Sequence, residues 1–221
     1  MLNLDSHIHS CYSADCLTRL EDIIKIANNK NLDIIAISDH DTVEGSKVGR
    51  KINNTDLLII PSIEISSRDG HIIGLGCQEL IGKGQDPAET IDKIHDQGGL
   101  AIVPHPYCFY RHGLLDKTSD KLDFDAIEVK NARFIFGYSN NKAKKLSKKE
   151  KIPGLGASDA HYKNFIKDCY TQIDCEKDID SVLKAIKKNK VSAHGKGTSN
   201  IKLAEYLIDK NILKKNKVSA H

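Results

Sequence analysis

Short runs of aliphatic and β-branched residues recur along the chain, each bounded by polar or turn-forming residues. After an opening strand that His7 and His9 follow, the stretches NLDIIAIS (31–38), DLLIIPS (56–62), HIIGLG (71–76), GLAIVPH (99–105), DAIEVK (125–130) and IPGLGAS (152–158) read as short buried strands. Amphipathic segments separate several of them. Residues 18–29 open on Thr18-x-x-Glu21, a capping box, and set Leu20, Ile23, Ile24 and Ala27 on one helical face. Residues 87–97 start with a proline suited to a first helical turn and stop at Gly98-Gly99. Residues 138–151 and 178–189 are further helices. Strands that are apolar on both faces and alternate with helices predict a parallel α/β sheet or barrel.

Histidines and acids fall at one kind of place on this pattern. His7 and His9 follow the first strand, SDHD (38–41) the second, and Glu64 the third. His71 opens the fourth, His105 ends the fifth, and SDAH (158–161) ends the last. Parallel α/β folds build their sites at the carboxyl ends of their strands. A single histidine there is more often structural than a ligand. Nearly all of them together, beside carboxylates, predict a multinuclear metal site.

Composition narrows the setting. The chain has 221 residues, which suits one compact domain or one with a small extension, and the expected boundaries are 1–195 and 196–221. The opening Met1-Leu2-Asn3-Leu4-Asp5 lacks the regions of a signal peptide, and no apolar run approaches the roughly 20 residues that span a bilayer. A cytoplasmic protein without membrane association is expected, with no obligate protein partner evident. Cys11, Cys16, Cys77, Cys108, Cys169 and Cys175 form no C-x-x-C pair and read as reduced core or loop thiols. A net charge of +3 does not by itself imply nucleic acid. The lysine runs at 142–151, 184–190 and 214–217 read as solvated helix faces. KKNKVSAH occurs at 187–194 and again at 214–221, and two copies do not make a solenoid.

The ordered set HIHS…SAD, SDHD, IE followed by GHIIGLG, PHPY and GASDAH resembles the PHP (polymerase and histidinol phosphatase) family over roughly residues 1–195. The resemblance implies a distorted seven-stranded (β/α) barrel with up to three metals at the strand ends. It implies that His7, His9, Glu64 and Asp159 surround one metal, and that Glu64 bridges to a second held with His71 and His105. Asp15, His40 and His161 would hold a third. The implied cofactors are two to three divalent transition metals, Zn, Mn or Fe. The implied activity is hydrolysis of a phosphate ester by a metal-bound hydroxide. Substrates would be small phosphorylated metabolites, nucleotides or short oligonucleotides, as befits the short stand-alone members.

Other residues complete the expectation. Asp39 and Asp41 flank His40, where either could orient an imidazole or cap the following helix. Arg111, His112 and Arg133 follow strands that end at the presumed site, and arginine suits two-pronged phosphate contacts. His194, beside Gly195-Lys196-Gly197, is a weaker phosphate candidate. His95 shares a helix face with Ile91 and Ile94 and reads as structural, and His221 as solvated. Two other readings stand beside the phosphoesterase. One is an amidohydrolase-like C–N or C–O hydrolase, which lacks an obvious candidate for a carboxylated lysine. The other is a metal-stabilised binding module without turnover.

Overall fold

The computed structural model describes residues 1–108, 111–116, 122–133 and 137–218, with side chains through residue 209. In chain order the strands are β1 (Leu2–Ile8), β2 (Ile34–Ile37), β3 (Leu58–Ile60), β4 (Ser62–Ser66), β5 (His71–Leu75), β6 (Leu100–Val103), β7 (Ala126–Asn131), β8 (Gly154–Ala157), β9 (Cys169–Ile173) and β10 (Val191–Gly195). The helices are α1 (Leu20–Asn29), α2 (Glu44–Ile52), α3 (Pro87–Asp96), α4 (Tyr138–Glu150), α5 (Ile179–Lys187) and α6 (Asn200–Val218). His221 and the end of the second KKNKVSAH copy lie outside the described residues.

Two five-stranded mixed sheets form, in the orders β10-β9-β1-β2-β3 and β4-β5-β6-β7-β8. Among the described residues no continuous ladder joins them into the expected seven-stranded barrel. The reason begins at Pro61. DLLIIPS, expected as one strand, divides there into β3 of the first sheet and β4 of the second. Proline lacks the N–H that a continued ladder needs, while its carbonyl accepts from Gly76 N at 2.7 Å. Glu64 therefore lies inside a strand rather than after one. The sequence reading also missed β9 and β10, which pair antiparallel along residues 169–173 and 191–195.

Three apolar layers hold the sheets. Leu4, Ile34, Ala36 and Ile60 meet Ile73, Leu75, Leu100 and Ile102 between them, and Val182, Ala185 and Ile186 of α5 join this interior. Leu2, Leu58 and Val191 pack beside α5, so the N-terminal ends of the parallel strands are sealed by apolar side chains. The polar residues are left to the other end. Outside the first sheet, Ile23 and Ala27 of α1 cover Ile35 and Ile37, with Leu203 and Tyr206 of α6 at the margin. Outside the second, Ile91 and Ile94 of α3 and Ala143 of α4 cover Ile63, Ala101, Val103 and Ile127. The N-cap of α1 is Arg19, whose side chain makes no capping bond. The Thr18 carbonyl instead accepts from Cys11 N at 2.8 Å, so the capping box is replaced by a tie to the loop after β1.

The sheets touch along two seams. At one, His40 and Glu64 form a single parallel bridge; at the other, Ile8 bridges Ala160. Near the second seam, the Gly156 N–H donates to Thr171 Oγ1 at 2.9 Å, and that hydroxyl donates to the Gly156 carbonyl at 2.9 Å. One side chain thus satisfies both backbone groups where no ladder does. A Cβ on Gly156 would lie 2.3 Å from the Tyr170 carbonyl oxygen. Gly156→Ala is accordingly expected to lower stability by about 2–3 kcal/mol through clash with backbone that has little room to shift. Thr171→Val, which strands two buried backbone groups, is expected to lose about 1–3 kcal/mol, and Thr171→Ser most of it to retain. Equilibrium urea unfolding measures all three, and a wild-type midpoint for Gly156→Ala would refute the seam.

Candidate metal centre

The backbone delivers the polar side chains from several elements to one edge. His7 lies in β1, with His9 just beyond it, and Asp15 follows in the next loop. His40 follows β2, and Glu64 sits in the middle of β4. His71 opens β5, but β5 runs antiparallel to β4 and β6, so its start meets the carboxyl ends of the parallel strands. His105 and Asp159 follow β6 and β8 with φ of 29° and 51°. Those left-handed turns are strained for residues with a Cβ, and they turn the chain sharply where a side chain must enter the site.

Glu64 is the centre. Its side chain is 1 % exposed, and its two oxygens face five imidazoles. Oε2 lies 3.2 Å from His7 Nε2, 3.3 Å from His9 Nε2 and 3.2 Å from His40 Nδ1. Oε1 lies 3.0 Å from His71 Nδ1 and 3.1 Å from His105 Nε2. Asp159 Oδ1 stands 3.8 Å from His7 Nε2 and 3.7 Å from His9 Nε2. Asp15 Oδ2 lies 2.8 Å from His161 Nε2 and 3.7 Å from His40 Nε2. Three sets have ligand atoms within 4.8 Å of one another: His7, His9 and Asp159; His40, Glu64 and His71; and His9, Asp15, His40 and His161.

These side chains fit divalent cations. His7 Nε2 and His9 Nε2 face each other at 3.0 Å, and the buried His71 Nδ1 makes no hydrogen bond although it points at Glu64. Neutral imidazole and carboxylate together suit Zn, Mn and Fe alike. Burial would drive the Glu64 carboxyl up, but His7, His71 and His40 outweigh it and hold the group well below its usual range. Asp159 is likewise held well below, burial being outweighed by Arg133, His7 and Arg111. Burial pushes His40 and His105 down, and burial beside His9 and Arg133 pushes His161 down to about 3. Those rings are neutral near pH 7, as metal ligation requires. For His7, burial is overcome by Glu64, Asp159 and Glu128, which raise it well above its ordinary value.

Sequence reasoning missed the residue that organises the centre from behind. Glu128 in β7 is fully buried. It accepts from His7 Nδ1 at 2.8 Å, from the His105 backbone N–H at 2.9 Å and from Asn131 Nδ2 at 2.8 Å. Asn131 Nδ2 also reaches Asp159 Oδ2 at 3.1 Å. With Nδ1 held by Glu128, Nε2 is the atom that faces Glu64 and would ligate a metal. An acid in the middle of an apolar strand, AIEV, was the available signal. Ser13 has a comparable place: its Oγ lies 3.2 Å from His9 Nδ1 and accepts from the His40 backbone N–H at 2.9 Å.

Asp39 and Asp41 neither orient an imidazole nor cap α2, whose N-cap is Val43. Asp39 accepts from the backbone N–H and the hydroxyl of Ser10, both at 2.6 Å, and Asp41 accepts from Ser66 N at 2.8 Å. Their short side chains are held by Ser10 and Ser66, tying the loops around His9 and Glu64. Gly45 allows this, since a Cβ there would lie 1.8 Å from Asp39 Oδ2.

Over the centre opens a cavity of about 230 Å³, lined by Asp15, His40, Glu64, His71, His105, Asp159, His161 and three further residues, Arg111, His112 and Arg133. Arg111 Nη1 donates to Asp159 Oδ2, and its Nε to the Cys108 sulfur at 3.4 Å. Arg133 Nη1 donates to Asp159 Oδ1 at 3.2 Å. His194 is not brought to the cavity. It pairs with Ser192 Oγ at 2.8 Å and stacks on Tyr170 at 5.6 Å, so its phosphate candidacy fails on position. His95 holds Asp125 Oδ2 at 2.8 Å. All six cysteines are free thiols. Cys16 Sγ donates to the His9 carbonyl at 3.3 Å, and burial pushes its thiol up to about 11. No helix among the described residues is long and apolar enough to cross a membrane.

Comparison with known proteins agrees with this architecture. A family model described as PHP-associated matches residues 137–191. An uncharacterized protein of Methanocaldococcus jannaschii is 38 % identical over 151 residues, 63 % of this chain and 88 % of the relative. A two-domain Bacteroides vulgatus protein containing a predicted PHP-like metal-dependent phosphoesterase superposes with a TM-score of 0.70 at 17 % identity, over 88 % of this chain and 65 % of that one. The lesion-specific endonuclease Q of Pyrococcus furiosus superposes with a TM-score of 0.63 at 17 % identity, over 85 % of this chain and 56 % of that one. The chain thus spans less than two thirds of either solved structure. With a PHP-associated family model on residues 137–191, a PHP-like solved structure of the same fold and the site residues in order along the strands, the chain belongs to the PHP family.

Proposed function

We propose that this protein hydrolyses phosphate esters with two to three divalent transition metals held around Glu64. The observation that carries the reading is a buried carboxylate faced by five imidazoles, three of which, His40, His71 and His105, line one small cavity together with two guanidinium groups. His7, His9, Glu64 and Asp159 would hold one metal, and Glu64, His71 and His105 a second. Asp15, His40 and His161 would hold the third, where Asp15 is half-exposed and the cage most open. When bound, such metals make water acidic enough to act as a nucleophile near neutral pH and polarise a phosphoryl oxygen.

The remaining work belongs to this chain. Arg111 and Arg133 present fixed donors at the cavity wall and would exchange their Asp159 contacts for the oxygens of an entering phosphate. Glu128 keeps the His7 proton on Nδ1. The apolar layers beneath exclude water from the floor. Among the described residues no lysine lines the cavity, so the carbamate bridge of the amidohydrolase reading has no source, and Glu64 stands in that place. A solved complex of endonuclease Q with a 27-mer duplex carrying an abasic lesion adds support for phosphoesters of nucleotides or oligonucleotides beside small phosphorylated metabolites.

Four outcomes are expected. Elemental analysis after reconstitution should find two to three metals per chain, with Glu64→Ala losing the most; one metal or none in wild type would remove the trinuclear reading. A panel of phosphomonoesters and nucleotides, run with Mn, Zn and Fe in turn, should release inorganic phosphate, and chelation, His9→Ala or Asp159→Ala should abolish it. On the best substrate Arg133→Ala should lower kcat/KM by about 1.5–3 kcal/mol with melting temperature and metal content retained, Arg133→Lys recovering part. Turnover of an amide or lactone with every phosphoester inert would install the amidohydrolase reading instead. Glu128→Gln keeps shape but sets an amide donor against His7 Nδ1 or against the His105 and Asn131 donors. Metal affinity should then fall about 10–100-fold, and unchanged affinity would make Glu128 merely a core residue.

A further inference from the structure

The cavity is small beside the roughly 300–1,000 Å³ of sites that enclose a whole ligand. Its volume of about 230 Å³ suits a phosphoryl group and little more, so the body of a larger substrate has to lie on the surface around the mouth. One neighbouring surface differs from the rest in charge. Helix α4, YSNNKAKKLSKKE, carries five lysines against a single acid, Glu150, at its last position. Only Ala143 is buried, and Lys142, Lys144, Lys145, Lys148 and Lys149 are exposed.

Two features tie this helix to the metal centre. Asn140, in its first turn, accepts from the Asn131 backbone N–H at 3.0 Å and donates to the Asn131 carbonyl at 3.1 Å. Asn131 is the residue that contacts both Glu128 and Asp159, and Arg133 follows it. On the other side, Ser139 Oγ donates to the carbonyl of Tyr107 at 2.9 Å, and Lys142 Nζ lies 3.9 Å over the Tyr107 ring, two residues after His105. The helix therefore starts at the rim and runs away from it along the outside of β7.

The helical repeat then sorts its residues. Tyr138, Lys142, Lys145 and Lys149 recur at intervals of four, three and four, which places them in one stripe. The stripe begins with Tyr138, whose side chain is 74 % exposed, and covers about 16 Å at ~1.5 Å per residue. An exposed aromatic followed by cations at regular spacing is the arrangement by which single strands are held, one base stacking on the ring and the phosphates following the charges. Lys144, Lys148 and Lys151 form a different line. A uniform solvated face would make the two lines equivalent.

We propose that the Tyr138–Lys142–Lys145–Lys149 stripe of α4 binds the backbone of a single-stranded polynucleotide whose terminal phosphate enters the metal cavity. This rests on the phosphoester reading of the cavity and adds the substrate class. An acidic protein would use the lysines but not the exposed ring beside a phosphate-sized hole.

The test measures binding rather than turnover, so its failure is separable from failure of the hydrolytic reading. A fluorescein-labelled deoxythymidine decamer, its integrity checked after each titration, is followed by anisotropy with the full-length, metal-loaded protein from about 50 to 200 mM salt. Lys142/Lys145/Lys149→Gln should weaken binding at least about tenfold at the lower salt and reduce the slope of log K against log salt by about 2. Lys144/Lys148/Lys151→Gln, identical in charge change, should have less than a third of that effect. Replacing the stripe lysines by arginine should restore binding, and Tyr138→Ala should weaken it at least about fivefold without altering the slope. Circular dichroism and melting temperature verify that each variant is folded. Equal effects of the two triple variants would show net charge alone and overturn the proposal. So would wild-type affinity in the stripe variant, or equal binding of a polyglutamate of matched charge.

Discussion

A carboxylate removed from water has to be compensated, and in this protein that requirement falls on Glu64. Taking an isolated ionised group into the interior costs several kcal/mol even after relaxation. Five imidazole nitrogens within 3.0–3.3 Å, and with them the capacity to share cations, make the burial tolerable. The same residue closes the fold. Glu64 N donates to the Asp39 carbonyl at 3.1 Å, and its own carbonyl accepts from Asp41 N at 2.9 Å. These bonds form one of the two seams between the sheets. The other has the same character, since His9 N donates to Ala160 O at 3.0 Å and Ala160 N to His7 O at 3.3 Å. Backbone of ligand-bearing residues joins the sheets, so the centre and the architecture are not separable parts.

The supports explain why the arrangement holds its shape. Glu128 links His7, the turn at His105 and Asn131, which in turn reaches Asp159 and the first turn of α4. The Glu128 oxygens and the Asn131 amide in that chain all have partners, as a buried network needs if it is to rigidify rather than weaken a core. Arg111 and Arg133 complete it from the solvent side, where their charge holds Asp159 ionised. They are positioned by the acid that they would release when an anion arrives. Under the proposed function a phosphate would compete with a contact already made, and recognition would be a difference between two charge-assisted pairs.

Much of this was legible in the strand pattern. The alternation of apolar runs with helices predicted an α/β fold, though as a parallel sheet or barrel where two mixed sheets form, and histidines at strand ends drew attention to one edge, because an apolar strand can end on a polar residue only where a site or solvent receives it. The helices at 87–97, 138–151 and 178–189 match α3, α4 and α5 to within a few residues, the proline start and the Gly98 stop being local chemistry. His7, His9, His40, His105 and Asp159 could be ordered along the chain for the same reason.

Other features depended on contacts between distant segments. The split at Pro61 was visible as a residue but not as a change of sheet, since local propensity does not say which partner a strand will find. β9 and β10 went unread because their alternation of buried and exposed positions is short and broken by polar residues, and only the pairing of β9 with β1, and of β10 with β9, makes them strands. Glu128 looked like one acid in a strand until folding set it against a ring 121 residues away. Asp39 and Asp41 had the spacing of ligand supports, yet tertiary structure gave their oxygens to Ser10 and Ser66. His194 had a phosphate-like setting in sequence and lies away from the cavity. Local chemistry determined which elements form and which residues can bind metal. Only the closure of two sheets decided which of them meet, because those distances are set by packing across the chain.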